Sequence, residues 1–256
     1  MRNSYASALL ANTVNECHKM WTRRRTKGFL LLTLIMPTIA ALGLAFMQDR
    51  LAAAAGLLGH NLPLIMLSLY TFAILPLFAA MSAANSFAGE TAARTLKLAL
   101  LRPIARGKVY ASKVLAIAAG IVAQLAALWV VSTLAAWLAD GSGAAAGAWP
   151  DNLQAYAAAS LPMIAIGLVA VLIAQCFRQS TGALALFILL YAAARLLPFA
   201  LPQLAVWSVF SYTNWHAMWV GGGAAAGKLA NTSVLLLAYC IMAYTAGWML
   251  FERKQL

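Results

Sequence analysis

Uncharged, mostly apolar runs recur along the chain, from Gly28 to Gln48, Asn61 to Gly89, Val114 to Ala139, Asn152 to Phe177 and Leu229 to Phe251. A helix rises about 1.5 Å per residue, so roughly 20 residues cross a hydrocarbon core about 30 Å thick, and each run is long enough. A sixth run, about Thr181 to Ala200, is interrupted only by Arg195. None shows the alternation of a barrel strand, and in lipid only helices and closed barrels satisfy their own backbone. The pattern predicts an all-α integral membrane protein of one domain, 1–256, with spans at about 28–47, 62–84, 113–138, 154–176, 181–200 and 231–250.

Ahead of the first span, about Tyr5 to Arg24, the residues Tyr5, Leu9, Leu10, Val14, Cys17, Met20 and Trp21 fall at helical spacing, with Asn12, Asn15, Glu16, Lys19 and Arg23 opposite. This leader, 1–27, predicts an amphipathic helix lying in the membrane interface, with Arg23, Arg24 and Arg25 against anionic membrane lipid. Between Leu201 and Ala230, aromatics mix with Ser211, Thr213, Asn214 and His216. That stretch is too polar to cross and is expected to dip into, or lie flat on, the outer interface.

Composition agrees, with 64% hydrophobic and 9% charged residues, against about 25% charged in a soluble domain. The net charge of +12 reads as orientation, because all of the eighteen cations except Arg50, Arg195 and Lys228 fall on one side of a six-span topology. The positive-inside rule then puts both termini in the cytoplasm and the chain in the plasma membrane as a multi-pass protein, with no nucleic acid as partner. The first span exceeds the 7–15 residues of a signal-peptide core and is expected to stay in the mature chain. Cys17, Cys176 and Cys240 have no metal-ligand spacing and no partner in an external loop, so neither a metal nor a disulfide is expected.

Chemistry-bearing motifs are few. Gly222 to Lys228 resembles the start of a phosphate-binding loop, but Leu229 stands where the magnesium-binding hydroxyl belongs and no strand precedes it. Such a loop works only between a strand and a helix amino terminus, so the chain is expected to hydrolyse no ATP. Gly141-Ser142-Gly143 hints at a serine nucleophile, yet His18, His60 and His216 all lie outside the spans, and a nucleophile without a base is inert. No catalytic residue is expected. Two polar groups inside spans are candidates for a translocation path, although Gln124 better suits an interhelical hydrogen bond and Arg195 better suits snorkelling outward.

The 85–112 loop is the exception to this blandness. From Glu90 to Leu101 the sequence ETAARTLKLALL puts Ala93, Leu96 and Leu100 on one helical face and Glu90, Arg94 and Lys97 on another, before Pro103 ends the pattern. Positive-inside charge explains the cations but leaves the leucine surface unexplained. Phe87-x-x-Glu90, Thr95-Leu96, then Leu100-Leu101-Arg102-Pro103-Ile104-x-Arg106 and Lys113 at the start of a span resemble the segment after the second span of type-2 ABC transporter permeases. Six spans, cytoplasmic termini, the amphipathic leader and the closing Phe251-Glu252-Arg253-Lys254 fit the same family; Arg94 departs from it, where glycine is usual before Thr-Leu.

The resemblance implies a permease subunit of an ATP-driven transporter, an exporter by the family's balance, that binds no cofactor itself. ATP and magnesium would sit on a separate cytoplasmic ABC ATPase subunit. A second permease subunit, identical or homologous, would complete the membrane part. The segment between spans 2 and 3 would be a cytoplasmic coupling helix, with Glu90, Arg94, Lys97, Arg102 and Arg106 as polar contacts and Leu96, Leu100 and Pro103 as apolar ones. The alternatives are an autonomous secondary transporter or channel, and a non-transporting scaffold or immunity protein; either would work without an ATPase.

Overall fold

Proline and charge decide where the helices of this chain bend and end. The computed structural model describes residues 2–47, 61–93, 105–140, 149–201, 203, 206–220 and 226–253. Among them every regular element is helical: α1 (Arg2–Thr22), α2 (Arg24–Met47), α3 (Leu62–Ala92), α4 (Arg106–Asp140), α5 (Trp149–Cys176), α6 (Ser180–Ala200) and α7 (Ala226–Arg253), with a 3-10 segment, Val209–Met218, between α6 and α7. Helices α2 to α7 are the six long and apolar enough to cross a membrane.

α5 is the central post, packed against α3, α4, α7 and the 3-10 segment, while α2 lies along α4. In their most apolar stretches 56% of α5 and 50% of α3 are buried, against 17% of α2 and 11% of α6. The outer helices therefore turn large side chains away from the bundle, among them Ile39 and Phe46 on α2 and Leu189 and Phe199 on α6. Close approach needs small residues at two crossings. A side chain on Gly167 of α5 would start 3.0 Å from the Ile121 methyl of α4, and one on Gly120 of α4 would meet Met20 of α1. On the same helix Ala116 is buried and Ala119 is exposed, so Gly120 marks the close contact there.

α3 contains two π turns, Tyr70–Ile74 and Asn85–Gly89. The first precedes Pro76, which has no N–H for the carbonyl four residues back and would press its ring against it. That carbonyl belongs to Phe72, and it accepts a hydrogen bond from the Tyr191 hydroxyl of α6 instead. The kink is thus satisfied by a neighbouring helix.

The helices also run further past the apolar runs than charge alone suggests. α3 continues to Ala92 and α4 begins at Arg106, so the connection read at 85–112 contracts to 93–105. Lys108 and Lys113 are helical because the first turns of α4 extend beyond the hydrocarbon and because Lys113 finds carboxylates.

Candidate functional site at the basic end

Only six carboxylates occur in the chain, and two of them meet. Glu16 of α1 and Glu90 of α3 face Lys113 of α4, whose ammonium donates to Glu16 Oε2 at 3.0 Å and to Glu90 Oε2 at 2.6 Å. Lys19 closes the square, donating to Glu16 Oε1 at 3.1 Å and Glu90 Oε1 at 3.2 Å. Arg23 Nη2 lies 3.8 Å from Glu90 Oε1. Lys113 is 1% exposed and Glu90 6%, so these charges are out of water and each holds the other in place. Burial alone would raise the Glu16 pKa, but the charge and hydrogen bond of Lys113, joined by those of Lys19, hold it below the ordinary range. Burial would lower Lys19, and the two carboxylates raise it instead.

Local sequence puts these groups together. The π turn Asn85–Gly89 leads directly into Glu90, and its extra residue re-phases the helix. α1 docks through a mixed face: Asn12 Nδ2 donates to Ser112 Oγ at 2.6 Å and Glu16 and Met20 are buried, while Leu10 and Val14 stay exposed, where interfacial lipid would cover them. Beneath the cluster, Phe87, Tyr110 and Phe251 pack with centroids 5.7 to 6.1 Å apart, joining α3, α4 and the end of α7. Beside it opens a cleft of about 560 Å³ lined by Lys19, Arg23, Arg24, Arg25, Asn85 and Glu90. Four cations against one carboxylate suit an acidic surface.

Of the coupling residues read from sequence, Glu90 and Arg106 are described; Arg94, Leu96, Lys97, Leu100, Arg102 and Pro103 lie outside the described residues. Glu90 does not stand on an open face, because both its oxygens are engaged by the cluster. Arg106 is exposed and donates to the Glu252 carbonyl at 3.3 Å. Glu16, Lys19, Arg23 and Lys113 are the site residues that sequence reasoning missed. The available signal was a carboxylate in a basic leader and a lysine heading an apolar span.

The two candidates for a path sit apart. Gln124 is 1% exposed, and its Nε2 donates to the Phe29 carbonyl at 3.0 Å and to the Thr33 hydroxyl, both on α2. Gln124→Leu should lower stability by about 1 kcal/mol, the usual net worth of such a bond, because Thr33 keeps its own bond to Phe29. A thermal melt in mild detergent measures this. Arg195 is held at the far end by the 3-10 segment: its guanidinium donates to Thr213 Oγ1 at 2.8 Å and to the Phe210 carbonyl at 3.4 Å, and lies 4.3 Å from the centroid of the Phe72 ring. It pins the segment to α3 and α6. Arg195→Met should cost about 2 kcal/mol of that docking. Labelling of Val209→Cys, a position of the segment that is buried while it is docked, in a background lacking the native cysteines, should then rise roughly 30-fold, since 1.4 kcal/mol is a factor of ten.

Among the described residues no group of three His, Cys, Asp or Glu converges as a metal site would require. A family model described as "ABC-2 family transporter protein" matches residues 18–256. No curated protein matches the chain.

Proposed function

The chain belongs to the ABC-2 transporter family, and from that membership we propose that it is the permease subunit of an ATP-driven exporter, worked by a separate ATPase at the basic end. In this reading the basic end is cytoplasmic, the ATPase grips the 93–105 segment with its Leu96 and Leu100 anchors, and the cationic cleft receives acidic side chains of the same partner. A second permease copy or homologue covers the exposed faces of α2 and α6.

The buried ion cluster is the observation that supports this most. It fuses α1, the end of α3 and the start of α4 into one corner, and the 93–105 segment leaves from that corner. Force applied to the segment therefore reaches spans 2 and 3 and the leader together. Glu90 acts as the fulcrum of the lever, while the cations of the cleft and the segment make the contact. ATP binding reverses a 1:99 preference between two bundle states only if it favours one by about 5.5 kcal/mol. A cleft and a pair of leucine anchors supply differential contacts of that order when one ATPase conformation fits them.

The test is purification in mild detergent with the ATPase that accompanies the chain, then reconstitution into liposomes. ATP hydrolysis should be stimulated by the permease, and Leu96→Asp with Leu100→Asp should abolish that stimulation without loss of membrane insertion. Transport that proceeds without any ATPase would instead establish an autonomous transporter.

A further inference from the structure

On the side of the bundle away from α2, the helices α4, α5 and α7 leave a groove of about 460 Å³ whose lining is almost wholly apolar. Leu115, Ala118 and Ile121 of α4 form one wall, Gly167 of α5 the floor, and Ile241 and Tyr244 of α7 the other wall. The lining on α4 runs from Ala111 to Ile121, about 15 Å of helix, which is the depth of one hydrocarbon leaflet. It lies in the leaflet on the basic side, since α4 starts there and α7 ends there.

The mouth at the basic end has a different chemistry. Lys108 precedes Ala111 and Leu115 by three and seven residues on α4, so helical phase puts it on the same stripe. Trp248 follows Tyr244 and Thr245 on α7, and its indole nitrogen approaches Gly107, where an added side-chain carbon would lie 3.1 Å away. Arg106 stands beside them, bonded to the Glu252 carbonyl. A cationic, aromatic rim over a dry trough one leaflet deep matches an amphiphile with a phosphate head.

The geometry points to a phospholipid site: one acyl chain of a lipid from the leaflet on the basic side fills the groove, and its phosphate sits at Lys108 and Arg106. The surrounding tails are as apolar as the groove, so the chain stays by close packing and the head selects which lipid is held. The site is independent of ATP coupling and is read without any ATPase.

Native mass spectrometry of the detergent-purified chain, with dipalmitoyl phosphatidylglycerol or dipalmitoylglycerol added in separate arms, tests it. The phospholipid should be retained about tenfold over the diacylglycerol, a difference near 1.4 kcal/mol. Ala118→Phe fills the trough and should abolish retention of both, and Ala111→Leu, a smaller filling, should weaken both. Lys108→Gln should reduce the phospholipid's advantage over the diacylglycerol, and Lys108→Gln with Arg106→Gln should remove it. Val122→Phe places the same ring at an exposed position of α4 outside the groove and should change nothing. Unchanged retention in both alanine variants overturns the site, as does a fall in oligomeric mass in place of lipid loss, which would make the groove a protein contact.

Discussion

Replacing Lys113 by Met should unfold the corner at the basic end and cost about 3–5 kcal/mol, the usual penalty for stranding a buried charge by removing its partner. Two carboxylates would be left facing each other, with Lys19 and Arg23 at their edge, and Lys19 is 45% exposed at its side chain. α1 should then leave α4. A short bis-thiol-reactive cross-linker between Asn12→Cys and Ser112→Cys, whose native side chains meet at 2.6 Å, should react quickly in the otherwise parent chain and slowly in Lys113→Met. Thermal melts should shift accordingly. Adding Glu16→Gln and Glu90→Gln to Lys113→Met removes the stranded charges and should recover most of the loss. If the triple variant is no more stable than the single one, the penalty is not electrostatic.

The pH dependence of the cluster follows from the same contacts. Glu16 is held below its ordinary value of 4.5, so its contribution is complete above that pH and is lost as pH falls through the lower folded value. Lys19 is held above 10.5, so its contribution is complete below that pH and is lost as pH rises through the higher one. Docking of α1 should therefore be flat across the neutral range.

Acid should act instead at the other end, releasing the 3-10 segment as pH falls from 6.5 towards 4. His216 is 2% exposed, and its Nε2 shares a hydrogen bond with Ser68 Oγ at 3.1 Å. Burial pushes its pKa down from 6.5 to about 4, with the nearby Thr213 backbone opposing this only in part. The released imidazole takes a proton below 6.5 while the docked one refuses it until about 4. Docking is therefore at full strength above 6.5, weakens continuously through that window, and loses roughly 3 kcal/mol in all. The nearest cation, Arg195, bonds Thr213 in the same segment, so a protonated ring would also meet like charge. A fluorophore on Asn214→Cys, read in liposomes against external pH, should report the release, and His216→Phe should flatten the profile. A flat response in the parent chain between pH 7 and 4 would rule the switch out.

Much of the architecture was legible because a bilayer imposes a length rule. Five uninterrupted runs and one broken by Arg195 read directly as six crossing helices, and the basic residues sorted the ends. Boundaries were harder, since α3 and α4 continue past the first charged residues wherever a helix leaves the hydrocarbon or finds a partner. The leader shows the same mixture. Its amphipathic stripe is visible in Leu10 and Val14, but that Asn12 and Glu16 would dock onto Ser112 and Lys113 is not, because the partners lie about a hundred residues away.

By itself, then, the sequence determined the membrane class, the number of crossings, the side on which charge collects and the family likeness of the Phe87 to Lys113 stretch. These depend on local composition and on residues within a few turns of one another. Only the tertiary structure decided that Glu90 closes an ion square with Glu16, Lys19 and Lys113, that Gln124 bonds α2, and that Arg195 and His216 hold the 3-10 segment. Each of those outcomes turns on what a polar group meets across helices once water is gone, and an unpaired buried charge is so costly that distant residues are forced together without any pattern along the chain to announce it.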